Sequence, residues 1–301
     1  MLPFVVPQKT STADRDPLVM AKIAFIGTTE IGKILVRKLQ GSGHKVRAFP
    51  LDGQALAPST IEEITRSEVV ISLLPSEDRV RKLYLSPQGL ITCAPRHLMM
   101  IDCSFISPKT AELIAFVAQE RDLNWLDAPY QGNLEEAQTG RLNFLVGASR
   151  ASFALANPLL LCMGRQIFHA GASGCGQTAR ICSNVRQAIV MAATAESLAL
   201  GTRSGLDPLV LASIMQHGAV DRLSLSAFKA KCEENAATAP SGLLVGPLLD
   251  DLAIAMECAQ DIQAFTPLGM MTRNLYSRHA GSQPGGNAVS YSSIHKLFHE
   301  A

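Results

Sequence analysis

The first half of the chain alternates short apolar stretches with helix-like spacing of apolar residues. Lys22–Gly27 predicts a buried strand that a glycine-bounded turn connects to a helix. The apolar positions Ile34, Leu35 and Leu39 mark that helix, and Lys45–Phe49 predicts a second strand. This order is the repeating unit of a parallel, doubly wound sheet. Further predicted elements are strands at Glu68–Leu74, Met99–Asp102, Trp125–Asp127, Leu142–Val146 and Gln166–His169, and helices at Pro108–Glu120 and Ser149–Leu161.

From Gly174 onward the apolar residues recur only at helical intervals. Gly174–Ser204 predicts one helix that is longer than the average of about 11 to 12 residues. The other predicted elements are helices at Pro208–Gln216, Leu223–Cys232, Pro247–Gln263 and Thr266–His279, with a loop at Ala236–Gly242. We therefore predict an α/β fold in which an N-terminal Rossmann-like doubly wound sheet is followed by an all-helical domain, joined by the long helix. The predicted ranges are a flexible extension over 1–19, a dinucleotide-binding domain over 20–176 and a helical substrate and dimerisation domain over 177–301.

Composition narrows the class of partner. The chain of 301 residues carries 27 Lys and Arg against 26 Asp and Glu, so no charge excess favours nucleic acid or an acidic membrane surface. Seven scattered cysteines without a CxxC pair favour reduced thiols in the cytoplasm. We find no signal peptide, no membrane-spanning run and no histidine spacing typical of a metal site. These properties predict a small-molecule or protein partner, and the small-molecule substrate is the prediction that we carry forward.

The turn after the first strand has the context of a dinucleotide-binding loop. Gly27-Thr28-Thr29-Glu30-Ile31-Gly32 leaves a strand and opens a helix, whose N-terminus can hold a pyrophosphate. The usual pattern has glycine where this chain has Thr29, and Glu30 adds a negative charge near the phosphate position. Two interpretations stay open, namely retained nucleotide binding and a turn that only shapes the fold.

Asp52 is the acid nearest to the end of the second strand. Its distance along the chain from Gly32 suits a ribose contact, and a solvated loop aspartate is the alternative. No basic residue directly follows Phe49, so the sequence offers no obvious partner for a 2′-phosphate. The prediction is therefore NAD or NADP, without a choice between them.

Several ordered segments together resemble the beta-hydroxyacid dehydrogenase family, which includes 3-hydroxyisobutyrate and tartronate-semialdehyde reductases, within the 6-phosphogluconate dehydrogenase superfamily. The resemblance runs from about Ala21 to the C-terminus. It rests on Ile23–Gly27, Val70–Pro75, Ile101–Ser104, Asp127–Pro129, Phe144–Gly147, Gly174–Gly176 with Asn184, and Tyr291–Ser293. The resemblance implies hydride transfer with NAD or NADP, cofactor contacts that include Leu74, Pro75 and Ser104, and a homodimer formed through the helical domain.

The resemblance also shows where this chain departs from the family. A lysine that acts as general acid/base is replaced by Arg180, while the asparagine one turn later is kept as Asn184. A guanidinium does not release its proton at neutral pH, although it can stabilise an oxyanion. Further departures are Phe105 for a hydroxyl, the substrate loop Gln131-Gly132-Asn133 for Ser-Gly-Gly, Asp250 for a second lysine, and Ser290 for an acid.

Two hypotheses follow from these departures. In the first, the chain is an NAD(P)-dependent reductase in which Arg180 and Asn184 orient a carbonyl and water or Tyr130 supplies the proton; Tyr130 could also be a packing aromatic. An imine reductase-like enzyme is a subcase. In the second, the chain is a non-catalytic family member that binds, senses or assembles. Independently of these, we expect Arg180 and Asp250 to form an ion pair within about 4 Å, because both replaced lysines lie near one substrate in the family.

Overall fold

The computed structural model of the chain describes residues 20–27, 29–50, 57–96, 98–217 and 244–300. Its internal contacts divide the chain into two compact units, Met1–Arg180 and Ile181–Ala301, so the division falls inside the long helix rather than at its first turn. Residues 1–19, Thr28, Asp52, and the predicted elements Leu223–Cys232 and Ala236–Gly242 lie outside the described residues.

Eight strands of the described residues form one sheet in the first unit. They are β1 Lys22–Ile26, β2 Lys45–Phe49, β3 Val69–Ser72, β4 Met99–Asp102, β5 Asn124–Asp127, β6 Tyr130–Gln131, β7 Asn143–Gly147 and β8 Gln166–Gly171. Their order is β2-β1-β3-β4-β5-β7-β6, with β8 paired to β7. The first five strands are parallel, and β7 runs antiparallel to β5 and β6. The predicted α/β fold is confirmed, although sequence analysis missed the two-residue strand β6.

Helices connect the strands of the first unit. They are α1 Glu30–Gly41, α2 Pro58–Thr65, α3 Glu77–Leu85, α4 Leu90–Cys93, α5 Pro108–Gln119, α6 Leu134–Gln138 and α7 Arg150–Met163. Polar side chains cap several of them; Ser107, for example, accepts a hydrogen bond from the Thr110 backbone at the start of α5. Sequence analysis predicted α1, α5 and α7 and missed the four shorter helices.

Alternate residues of the central strands pack into two cores on opposite faces of the sheet. In β1, Phe25 belongs to one core, together with residues of α1 and α7. Ala24 and Ile26 belong to the other core, together with residues of α2 to α5. Burial on both faces explains why the central parallel strands β1, β3 and β4 consist mainly of apolar residues without alternation.

The long helix α8, Cys175–Arg203, carries the chain from the first unit into the second. Further helices are α9 Pro208–His217, α10 Val245–Asp261, α11 Pro267–Ser282 and α12 His295–Glu300, with 3-10 turns at Gly286–Ala288 and Tyr291–Ile294. In the second unit, Ala188, Ala192 and Ala195 of α8 pack with Leu248, Leu252 and Tyr276 in one core. Small side chains of α8 are thus core residues of this unit.

Two properties of the described part of the chain bear on membranes and metals. Among these residues, no helix combines the length and apolar character needed to cross a membrane. No three His, Cys, Asp or Glu side chains within the described ranges come together as metal ligands would.

Candidate active site

The turn that follows β1 lies where the direction of strand connection reverses, between β1 and β3. Gly27 has a φ of 108°, and a Cβ added there would lie 2.2 Å from the carbonyl oxygen of Leu73. Only glycine suits both the conformation and the space. In open α/β sheets, ligands bind at the carboxyl ends of strands at such a reversal. The first glycine of the sequence motif is therefore required by the close approach of the loops after β1 and β3.

Thr29 begins helix α1. Its Oγ1 accepts a hydrogen bond from the backbone N–H of Gly32 at 3.0 Å, so the threonine is the N-cap of the helix. Gly32 itself has little room, since an added Cβ would lie 3.1 Å from the Gly27 carbonyl oxygen. The Thr29 side chain thus points toward its own helix, which reduces the crowding of the phosphate position expected from the sequence.

Glu30 at the first position of α1 is exposed and forms an ion pair with Lys33 at 2.7 Å. The hydrogen bond from Lys33 lowers the pKa of Glu30, with the positive charge of Lys33 acting in the same direction. The carboxylate is therefore compensated within its own helix. The turn geometry and the helix N-terminus fit a dinucleotide pyrophosphate despite the two departures at Thr29 and Glu30.

Ser104 ties the loop after β4 to the loop after β3. Its Oγ accepts a hydrogen bond from the Leu74 backbone N–H at 2.8 Å and donates to Asp102 Oδ1 at 2.7 Å. Leu74 is buried and Pro75 is exposed at the same end of the sheet. The Ser104 hydroxyl is thus used to hold the loop that carries the predicted cofactor contacts.

Asp102 is fully buried at the end of β4. The Ser72 hydroxyl donates to its Oδ1 at 2.6 Å, and the phenol of Tyr84 contacts the Ser72 hydroxyl at 2.7 Å. Burial raises the pKa of Asp102 to about 6, although the hydrogen bonds from Ser72 and Ser104 oppose that shift. This network fixes the carboxyl ends of β3 and β4 beside the turn at Gly27.

Asp127, at the end of β5, holds the N-terminus of α8. Its Oδ1 accepts the Gly174 N–H at 2.7 Å and its Oδ2 accepts the Gln177 N–H at 3.0 Å. Burial raises the pKa of Asp127 to about 7, while these two backbone hydrogen bonds act to lower it. An added Cβ on Gly176 would lie 2.6 Å from Asp127 Oδ2 and 2.4 Å from the carbonyl oxygen of Leu145. The Gly174–Gly176 segment is therefore required by this close packing.

Arg180 lies one turn after this attachment and is only 2% exposed. Its Nε donates to Gln177 Oε1 at 3.3 Å, and its guanidinium lies 4.5 Å from the centre of the Phe105 ring. Gln177 is fully buried, and its Nε2 donates to the Ser104 carbonyl at 2.8 Å. The structure thus places a buried cation against an aromatic face.

Tyr130 completes this cluster within the first unit. Its ring lies 5.0 Å from that of Phe105 and 6.4 Å from that of Phe144, which belongs to the core. Burial raises the pKa of Tyr130 to about 12, and the positive charge of Arg180 opposes the shift. The phenol therefore keeps its proton at neutral pH, and can donate it but not accept another.

The predicted substrate loop follows Tyr130 directly. The Asn133 side chain accepts from the Glu136 N–H at 2.9 Å, and Glu136 accepts from the Asn133 N–H at 3.0 Å, which is a capping box for α6. Gly132 has a φ of 129°, and an added Cβ would lie 2.6 Å from the Leu142 side chain. The Asn133 side chain is thus engaged in capping α6. Gln131, which is half-buried, is the remaining side chain of this loop that is a candidate for contact with a ligand.

In the second unit, the Asn184 amide donates to Asp251 Oδ2 at 2.6 Å. Asp251 is 6% exposed, whereas the neighbouring Asp250 is exposed. The acid that holds Asn184 is thus Asp251. The ion pair between Arg180 and Asp250 would join residues of different units, and it stays a prediction.

Sequence analysis did not assign a role to Gln177, Asp127, Asp102 or Asp251. Asp127 and Asp102 belong to segments on which the family resemblance rests, but the Gln177 backbone N–H that Asp127 binds and the Ser72 hydroxyl that Asp102 binds come from distant parts of the chain. Phe105 was noted as a departure, and its contact with Arg180 was not predicted. The apolar residues that directly flank Asp102 and Asp127 in the sequence were the available signal, since buried acids are rare unless they are paired.

Comparison with known proteins adds to this geometry. Residues 22–171 match a family model described as the NAD binding domain of 6-phosphogluconate dehydrogenase. Residues 174–297 match one described as the NAD-binding region of NADP-dependent 3-hydroxyisobutyrate dehydrogenase.

Individual relatives match over nearly their whole length. A 3-hydroxyisobutyrate dehydrogenase of Pseudomonas aeruginosa is 38% identical, over 93% of this chain and 99% of the relative. An NAD-dependent L-serine dehydrogenase of the same species is 35% identical, over 93% of this chain and 98% of the relative. Among solved structures, Mycobacterium tuberculosis 3-hydroxyisobutyrate dehydrogenase with L-serine has a TM-score of 0.80 and 27% identity, over 92% of this chain and 99% of that chain.

Proposed function

Because this chain belongs to the beta-hydroxyacid dehydrogenase family, we propose that it interconverts a small β-hydroxy acid and its carbonyl form with Arg180 in the position of the family lysine. It is an oxidoreductase of the beta-hydroxyacid dehydrogenase type, and its cofactor is NAD or NADP. The observation that carries the proposal is the buried guanidinium of Arg180 beside Phe105, Gln177 and Tyr130.

The cofactor site would be formed by the chain around the strand reversal. The Gly27–Gly32 turn and the N-terminus of α1 would hold the pyrophosphate, and the loop at Leu74 and Pro75 would lie beside the remainder. When bound, a nicotinamide cofactor supplies or accepts the hydride. Thr29 keeps its side chain on Gly32 and so leaves the loop backbone to approach the phosphates.

Arg180 would act on the oxygen that changes charge. A guanidinium keeps its proton at neutral pH, so Arg180 cannot shuttle protons as lysine does. It can stabilise a developing oxyanion, and this interaction is strong where water is excluded. Its 2% exposure meets that condition. Arg180 is thus proposed to stabilise the negative charge on the substrate oxygen, and another group must supply the proton that this oxygen takes up.

Tyr130 is the proposed proton donor. Its pKa of about 12 means that the phenol is protonated at neutral pH and can give a proton to a carbonyl oxygen as that oxygen becomes a hydroxyl. For the reverse reaction the site needs a base, and neither Tyr130 nor Arg180 is one at pH 7. We therefore propose that reduction of the carbonyl is faster than oxidation of the alcohol at neutral pH.

The negative charge of Asp250 suggests the class of substrate. Asp250 puts a negative charge where the family has a lysine, which favours a substrate that also carries an ammonium group over a plain carboxylic acid. Two relatives connect this family with L-serine, one by its name and one by its crystal complex. The proposed preferred substrate is therefore L-serine, ahead of 3-hydroxyisobutyrate, with Asn184 and Gln131 proposed as further contacts.

A non-catalytic role is the alternative. The loss of the lysine at Arg180 and the use of Asn133 in the α6 cap favour it, because both positions serve the substrate in the family. An imine reductase-like enzyme is a subcase of the catalytic proposal, since enzymes of that kind also lack the lysine. The homodimer and the cytoplasmic location stay predictions.

The test begins with binding. The purified protein is titrated with NADH and with NADPH while nicotinamide fluorescence is followed, and each reduced cofactor is then used to assay the carbonyl forms of both substrates. We expect micromolar binding of one cofactor and measurable reduction. No binding of either cofactor at millimolar concentration would contradict the enzyme proposal.

Two variants separate the catalytic proposal from the non-catalytic one. Arg180→Lys should change kcat and make kcat depend on pH through the titration of the new amine. Arg165→Lys, at an exposed position, should leave kcat and its pH profile unchanged. Cofactor binding that occurs without turnover in either the wild type or Arg180→Lys would favour the non-catalytic role.

A further inference from the structure

The cluster around Arg180 contains two residues that have no assigned role in the reaction. We propose that Phe105 and Gln177 are positioning residues that fix the guanidinium of Arg180, so that the exchange of lysine for arginine depends on the exchange of a hydroxyl for phenylalanine at position 105. This inference rests on the proposed function for its catalytic consequence. Its structural part can be tested independently.

Gln177 connects Arg180 to the chain on both sides of Phe105. Its Nε2 donates to the carbonyl of Ser104 at 2.8 Å, and its Oε1 accepts from the Ile106 N–H at 3.4 Å. The same Oε1 accepts from Arg180 Nε at 3.3 Å. One fully buried amide therefore sets the distance between Arg180 and the backbone that carries Phe105.

Gln177 is itself held firmly. Its backbone N–H donates to Asp127 Oδ2 at 3.0 Å, in the first turn of α8. A side chain whose backbone and amide are both fixed has little freedom to follow Arg180 if the guanidinium moves. Gln177 is thus a rigid reference point for Arg180.

Phe105 fixes the plane of the guanidinium. The distance of 4.5 Å from the guanidinium carbon to the ring centre is within the range of a cation–π contact, and a flat guanidinium stacks on a ring as an ammonium does not. The ring also contacts that of Tyr130, with 5.0 Å between the two ring centres. Phe105 retains 40% exposure, so one part of the ring is left open beside the buried cation.

The two exchanges are linked by this geometry. Arginine without the ring would lose the face that defines its plane, and lysine with the ring would face an aromatic group where the family has a hydroxyl. Each reversion alone should therefore impair the site. The double reversion should restore a lysine with a hydroxyl near it.

The test is a double-mutant cycle with the holoenzyme. Phe105→Ser, Arg180→Lys and the double variant are compared with the wild type in reduction of the preferred carbonyl substrate. If the two substitutions acted independently, the ratio of kcat between the double variant and the wild type would equal the product of the two single-variant ratios. We expect the measured ratio to exceed that product by at least about fivefold. Agreement with that product within twofold would overturn the coupling.

A second comparison isolates the aromatic face. Phe105→Leu keeps apolar volume without a ring, and Phe105→Tyr keeps the ring. If Phe105 positions Arg180, kcat of Phe105→Tyr should exceed that of Phe105→Leu at least about fivefold with similar KM, and the difference should disappear in the Arg180→Lys background. Phe116→Leu, on the exposed surface of α5 at 62% exposure, is the control. Equal kcat values for the two Phe105 variants would overturn the role.

An unfolding experiment, which needs no enzymatic activity, tests the contact between Phe105 and Arg180 independently of the proposed function. The same cycle is measured by urea unfolding, with Arg180→Met replacing Arg180→Lys and Phe105→Leu replacing Phe105→Ser. We expect the effects on the unfolding equilibrium constant to be coupled by at least about threefold. Coupling in unfolding without any turnover by the wild type would retain the contact and reject the enzyme, whereas additive effects would reject the contact itself.

Discussion

The attachment of α8 to the sheet can be tested by adding a single methyl group. In Gly176→Ala, the new Cβ would lie 2.4 Å from the carbonyl oxygen of Leu145, 2.6 Å from Asp127 Oδ2 and 2.9 Å from the Gly147 backbone nitrogen. Two of these atoms belong to the backbone of β7, and the third belongs to a carboxylate that accepts one backbone hydrogen bond at each of its oxygens. None of them can rotate away as the end of a flexible side chain could.

The magnitude follows from two opposing contributions. Alanine is favoured over glycine in a helix by about 1 kcal/mol. Overpacking of a well-packed site costs about 1–3 kcal/mol and more where the neighbours are rigid. Since Gly176 meets three fixed atoms, we expect the steric cost to dominate and the free energy of unfolding to fall by about 2 kcal/mol.

Urea unfolding, followed by the fluorescence of the single tryptophan Trp125, is the assay, because this residue lies in β5 of the first unit. Gly41→Ala, at the end of α1, is the matched control, since an added Cβ at Gly41 meets nothing within 4 Å. It should stabilise by up to about 1 kcal/mol. Equal effects of the two substitutions would refute the close approach of α8 to β7.

Three further predictions concern the same unit. The pKa of Asp127, about 7 when folded and about 3.9 when unfolded, means that the folded state binds more protons, so stability falls as pH rises from about 4 to 7; Asp127→Asn should flatten that fall in urea unfolding at several pH values. Gly27→Ala, with its Cβ 2.2 Å from the Leu73 carbonyl oxygen, should weaken NADH binding more than tenfold by fluorescence titration; unchanged affinity would place the nucleotide elsewhere. Tyr130→Phe should lower kcat for reduction by about 100-fold with little change in KM, and full activity in initial-rate assays would exclude the phenol as donor.

The sequence predicted those parts of the fold that depend on local pattern. The buried strands at Lys22–Ile26 and Met99–Asp102 are continuous apolar runs, which a parallel sheet covered on both faces requires. The helices α3 and α6 are short and have little apolar periodicity, so they escaped this criterion. The capping signals of Ser76 and Asn133 were present in the sequence and would have indicated both.

The candidate site was predictable to a smaller extent. The positions of Gly27 and Arg180 followed from the order of segments along the chain, because such motifs keep their spacing. The bonds of Gln177 to the backbone on both sides of Phe105 join segments about 70 residues apart and arise only when α8 meets the loop after β4. No property of Gln177 in the sequence distinguishes it from an exposed helical glutamine.

The side chain of Arg180 takes no part in the hydrogen bonds that attach α8 to Asp127. The N-terminus of α8 is held by Asp127 through the backbone of Gly174 and Gln177, none of which involves the side chain at position 180. Substitution at that position therefore leaves the attachment of the helix intact, and only the neighbours of the side chain must adapt. Phe105 is such a neighbour, and its ring meets the guanidinium directly. A substitution at position 180 can thus alter the contacts with Phe105 and Gln177 while the hydrogen bonds that attach α8 to Asp127 are retained.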